Sequence, residues 1–229
     1  MGPKKEDEMV HTPHLDLRYE NELRAVRAQV AAMADHAERM VRDAVLALLS
    51  GDEKLAAEVV AADRELDRME LACDQLCVQL LARRAPVGSD LRMVTATLKL
   101  VTDVERIGDL AVNIVKRRDQ VAGAAVPGQI AELGRAVVDE LGMAMDALRA
   151  RDGAKARQLY EQDSITDQRN RVAFDHLLRL AQEQPAMVDR TVAMTNICRH
   201  LERIGDHAVN IAEAVVYMAE GVNLRHAGG

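Results

Sequence analysis

Two carboxylates four residues apart, with a glycine between them, stand twice in otherwise apolar sequence and in almost the same words. ERIGDLAVNI spans residues 105–114 and ERIGDHAVNI spans 202–211, differing only at Leu110 and His207. Helical periodicity places Glu105, Asp109 and Asn113 within about 80° of one face. That face lies between the apolar set Val94, Val101, Val104 and Ala111 and the cations Lys99, Arg106 and Arg117. A row at the edge of a core is part-buried yet reachable. An anion taken out of water in this way requires a compensating cation or hydrogen-bond donor. Glu202, Asp206 and Asn210 repeat the row in the second copy.

A second acidic strip matches the first. Asp63, Asp67, Glu70 and Asp74 share one narrow helical face beside Val59, Leu66 and Cys77, and Asp163 and Asp167 repeat its first pair. Like charges at i and i+4 repel by about 0.2–0.5 kcal/mol even when exposed, and burial raises the penalty. Packed side by side, the helices carrying the two rows present facing oxygens, a cage suited to Mg²⁺, Mn²⁺ or Ca²⁺, or to iron in an oxygen-rich site. Neither row carries the Glu-x-x-His of ferritin-like di-iron bundles, so ferroxidase chemistry fits poorly. Arg and Lys side chains pairing off the same carboxylates are the other reading, and the spacing leaves both open. In the second copy Asn170 replaces Glu70 and Phe174 replaces Asp74, which predicts a weaker second site, or one of lower nuclearity.

The remaining polar residues carry less. A mid-helix glycine costs about 1 kcal/mol relative to alanine, so Gly108 and Gly205 predict close approach of another helix or room for a ligand. His200 and His207 read as boundary residues, with His207 a possible supplement to a metal site. His36 reads as a solvated helix-face residue, since nothing around it supports phosphotransfer. Arg106 and Arg203 face outward in the repeated phrase as candidate partner contacts, against the default of solvated ion pairs. Cys73, Cys77 and Cys198 lack a CxxC spacing and read as reduced core thiols.

The elements that must hold these residues are long helices. Apolar residues at helical spacing run over 15–49, 53–84 and 89–121, broken at Ser50-Gly51-Asp52 and before Pro86. After the small-residue linker 122–128 the scheme restarts over 129–149, from the break at Arg151-Asp152-Gly153 to 183, and over 187–220. Asp52 recurs as Asp152, Asp63 as Asp163 and Glu105 as Glu202, so the chain is an internal duplication. The expected organisation is all-α. A disordered segment 1–14 precedes one three-helix bundle over 15–121, the linker 122–128 leads to a second over 129–221, and 222–229 form a tail.

Composition agrees. Aromatic residues make up 2% of the 229 residues against 48% hydrophobic, and there are five prolines. A core without aromatics suits helix-on-helix packing. A net charge of −7 and the lack of basic runs argue against nucleic-acid binding. MGPKKEDEM has no apolar core for a secretory signal, Glu6 stands where myristoylation needs Ser or Thr, and no stretch of about 20 apolar residues appears.

These features together resemble the PhoU family, the phosphate-transport accessory regulators of bacteria. The resemblance rests on Asp103-Val-Glu-Arg-Ile-Gly-Asp109 with Asn113, and on His200-Leu-Glu-Arg-Ile-Gly-Asp206 with Asn210. Ala85-Pro-Val-Gly-Ser-Asp-Leu-Arg92 and the terminal Asn223-Leu-Arg-His-Ala-Gly-Gly229 extend it over nearly the whole chain. It implies two three-helix bundles related by a pseudo-twofold axis, in a cytoplasmic, often dimeric protein without enzymatic activity. It also implies divalent or iron-type metal ions on Asp63, Asp67, Glu105 and Asp109, and on Asp163, Asp167, Glu202 and Asp206. Asn113 and Asn210 extend the two rows. The implied function is to hold off the phosphate-starvation response, between a PhoR-type sensor histidine kinase and the PstB-type ATPase of the phosphate importer, reaching the membrane only through partners. The competing class is a metal-dependent phosphate-ester hydrolase or a metal store. No nucleophile or Gly-rich phosphate loop accompanies the carboxylates to favour it.

Overall fold

The computed structural model describes residues 13–121, 125–162 and 164–224, with side chains from residue 17 onward except at 119, 160–162 and 164. The expected segment 1–14 lies almost wholly outside them, as does the tail beyond residue 224. Among the described residues seven α-helices follow one another: α1 (Pro13–Ser50), α2 (Glu53–Arg84), α3 (Gly88–Val121), α4 (Gly128–Ala150), α5 (Gly153–Gln162), α6 (Ser164–Glu183) and α7 (Val188–Glu220). A 3₁₀ turn, Pro185–Met187, leads into α7. Among the described residues there is no strand, and no helix is long and apolar enough to cross a membrane.

The helix breaks are chemical. Gly51 takes φ +73°, which only glycine adopts without strain, and Asp52 Oδ1 then accepts from the amides of Lys54 and Leu55 at 2.9 and 3.0 Å. The second copy repeats the cap: Asp152 Oδ1 accepts from Ala154 and Lys155 at 3.0 and 3.1 Å. Ala85 closes α2 in the left-handed region just before Pro86.

Helices α1, α2 and α3 pack against one another as the first bundle, and α4, α7 and the α5–α6 pair form the second. The bundles join through α3 against α7, the most extensive helix pairing in the molecule, and through α1 against α4. One continuous apolar core runs through both, built from Leu23, Met33, Leu66 and Ile107 on one side and Leu133, Leu141, Met145 and Leu177 on the other. Fully buried alanines such as Ala37, Ala44, Ala144 and Ala208 let the helix axes approach closely. The three cysteines are free and buried. Across the seam Arg149 of α4 binds Asp35 and Glu38 of α1 as well as Asp146 of its own helix.

Candidate functional site

In the first bundle the two acidic rows face each other across α2 and α3. Asp63, Glu70, Glu105 and Asp109 are half-buried, while Asp67 and Asn113 are exposed. Burial pushes the Asp63 carboxyl above its usual range, and the charges of Asp67 and of Asp109 on the opposite helix push it further. Glu105 is raised in the same way, first by burial and then by Asp109, with Glu70 and Asp67 adding to it from α2. Glu70 is raised by burial and by its neighbours Asp74 and Asp67. Repulsion between the helices is the electrostatic signature of facing rows.

Cations answer only part of this charge. Arg106 lies across its own phrase, Nη1 at 3.1 Å from Asp109 Oδ2 and Nε at 3.4 Å from Glu105 Oε2. Lys116 draws the Asp63 carboxyl back somewhat. The α3 row is thus paired by Arg106, while the α2 row keeps a surplus of negative charge. Among the described residues no three His, Cys, Asp or Glu side chains converge where they could hold one ion. The oxygen-only donor set with surplus negative charge fits a hard divalent cation in chemistry. It forms two facing lines rather than a closed cage.

The second bundle differs. Glu202 is half-buried, Asp167 and Asp206 are exposed, and Asp163 lies outside the described residues. Asn210 is turned away to the seam: its Nδ2 donates to Asp103 Oδ1 of α3 at 3.1 Å, beside His207 Nδ1, which donates to the same oxygen at 2.8 Å. Phe174, where the first copy has Asp74, is exposed.

The glycines separate the two copies further. A Cβ on Gly108 would stand 2.2 Å from Leu66 Cδ2, so the absent side chain is what lets α2 and α3 close. A Cβ on Gly205 would meet Glu140 Oε2 at 3.3 Å and Thr166 Cγ2 at 3.4 Å instead. Thr166 Oγ1 donates a short hydrogen bond to Glu140, and both residues are buried. They border a cavity of about 560 Å³ that also reaches Arg135, Met143, Ile165 and Arg169. Glu140 and Thr166 stand 100 residues after Met40 and Leu66, so the duplicated core position has changed from apolar to polar. Laying the two copies over each other at that offset would have exposed the exchange.

The seam also holds contacts that the sequence reading did not assign. Asp103 takes His207 and Asn210 at one end, and at the other Arg117 Nε donates to His200 Nε2 at 3.3 Å. Both histidines lie between the bundles and outside the carboxylate rows.

Comparison with known proteins agrees with this architecture. The PhoU domain family matches twice, over residues 30–117 and 130–215, one match in each bundle. The chain is 36% identical over 221 residues to the phosphate-specific transport system accessory protein PhoU homolog of Pseudomonas putida, covering 95% of this chain and 86% of the relative. It is 31% identical over 219 residues to PhoU of Escherichia coli K12, covering 94% and 91%. The crystal structure of PhoU from Pseudomonas aeruginosa superposes with a TM-score of 0.85 at 36% identity, over 89% of this chain and all of that one. The phosphate transport system regulatory protein PhoU from Streptococcus pneumoniae gives 0.83 at 25% identity, over 90% and 99%.

Proposed function

Since the chain belongs to the PhoU family, we propose that it is a cytoplasmic accessory regulator of phosphate uptake that keeps the phosphate-starvation response off when phosphate is plentiful. The observation that carries this reading is the family match in both bundles, each match including one copy of the ERIGD phrase, with relatives named as accessory proteins of phosphate-specific transport. The reading assigns two partners: the PstB-type ATPase of the importer and the cytoplasmic part of a PhoR-type sensor kinase. It also takes the working form to be a homodimer.

Metal ions belong to the same proposal. Drawn together from their two facing lines, Asp63, Asp67, Glu105 and Asp109 would hold a divalent or iron-type cation in the first bundle, with Asn113 extending the row. Asp163, Asp167, Glu202 and Asp206 would do so in the second, while Asn210 is engaged by Asp103. Bound there, a cation supplies the positive charge that the facing rows lack and links two helices of one bundle. The carboxyls, raised by burial and then by their mutual repulsion, support this assignment.

Co-purification of the full chain with the importer's ATPase, and separately with the kinase's cytoplasmic part, tests the regulatory reading. Retention of at least one is expected. Retention of neither, together with metal-dependent turnover of a phosphate ester, would replace it with the hydrolase.

A further inference from the structure

Arg106 and Arg203 hold the same place in the duplicated phrase and have opposite surroundings. Arg106 is neutralised by Glu105 and Asp109. Arg203 has no carboxylate within ion-pair distance among the described residues, and neither have Arg117 and Arg199. Arg117 contacts His200 across the seam between α3 and α7, and the exposed Arg199 and Arg203 stand beside His200 along α7. Arg117 reaches it from α3, donating through Nε to His200 Nε2 at 3.3 Å. Arg203 lies three residues along α7 from His200, and Arg199 is its neighbour in sequence.

The cluster is unsatisfied as it stands. Because Nε2 accepts from Arg117, the imidazole proton belongs on Nδ1, which is buried without a hydrogen-bond partner. Arg199 and Arg203 are like charges at i and i+4, an unfavourable pair. All this occurs in a chain of net charge −7, where carboxylates to pair with are plentiful. The other end of the seam shows what a satisfied arrangement looks like. Asp103 occupies the position that the duplication gives to His200, and His207 and Asn210 close upon it.

We propose that Arg117, Arg199, Arg203 and His200 form a binding site for a phosphoryl dianion at the seam between the bundles. Guanidinium groups suit the tetrahedral oxygens of such an anion, which takes charge-assisted hydrogen bonds from several at once. With donors from both bundles, occupancy ties α3 to α7. The site does not depend on the regulatory reading. Inorganic phosphate and a phosphomonoester carried by another molecule share this chemistry.

The test is titration of the full chain with inorganic phosphate and, in a second arm, with phenyl phosphate, both at ionic strength fixed with chloride. The His200 imidazole resonances and the melting temperature are the readouts. A saturable response to at least one probe is expected, weakened about tenfold in R117Q and in R203Q by loss of one charge-assisted hydrogen bond. R68Q, on the exposed face of α2, should bind as wild type does. Tighter binding of phosphate makes the free anion the ligand; tighter binding of the ester makes it a phosphorylated group. No response beyond chloride overturns the proposal, as does equal weakening by R68Q and by the exposed-site variant R203Q.

Discussion

Replacing Gly108 by alanine tests whether the repeated glycine is a packing device. The added Cβ would stand 2.2 Å from Leu66 Cδ2 and 3.5 Å from Met40 Cε. Carbon atoms rest at about 3.5–4.0 Å, so the Leu66 methyl would have to retreat by about 1.5 Å. Leu66 is fully buried and has nowhere to go. Overpacking of this kind costs about 1–3 kcal/mol, against about 1 kcal/mol gained in helix propensity. G108A should therefore lose about 1 kcal/mol net. The equivalent G205A meets its nearest neighbours only at 3.3 and 3.4 Å. There the propensity gain should prevail, leaving it neutral or up to about 1 kcal/mol more stable. The decisive assay is urea unfolding of both variants and of a double-mutant cycle with Leu66→Ala. L66A alone should cost about 2–5 kcal/mol. On that background G108A should become stabilising, a coupling of more than about 1 kcal/mol. If G108A and L66A are additive, or G205A is as damaging as G108A, the packing argument fails.

Further outcomes follow from the charges. Asp63 has its folded pKa raised above 3.8, so its ionisation weakens the fold as pH climbs through that raised value. Asp63→Asn should accordingly raise the melting temperature at pH ~7, with the gain vanishing below pH ~3, where both folded and unfolded carboxyls are protonated. Metal loading should be unequal. Asp63→Ala with Asp109→Ala should abolish the tighter of two classes of Mn²⁺ site in calorimetry, and equal tight loading of both bundles would contradict this. Arg149→Ala should remove the α1–α4 ion-pair network at a cost of about 1 kcal/mol, shrinking at high salt.

The local architecture was legible because its signals are local. Asp52 and Asp152 announce their caps, Pro86 and Gly51 end their helices, and the spacing of Met33, Ala37, Met40 and Ala44 marks the buried face of α1. The carboxylate rows were legible too, since helical period alone puts Asp63 with Asp67 and Glu105 with Asp109. Periodicity says which residues share a face but not which helix covers it. The seam escaped for that reason: Asp103 meets His207 and Asn210 across more than 100 residues, and Arg117 meets His200 across 83. The exchange of Met40 and Leu66 for Glu140 and Thr166 lies off the acidic rows that distinguish the copies in sequence, and it leaves the two ERIGD glycines beneath different neighbours.

The regulatory account is tested most directly by deleting the gene and following a phosphate-starvation reporter in phosphate-rich medium. The account predicts that the reporter switches on although phosphate is abundant, and that restoring the intact chain silences it. A reporter that stays off after deletion, responding normally when phosphate is withdrawn, would contradict it.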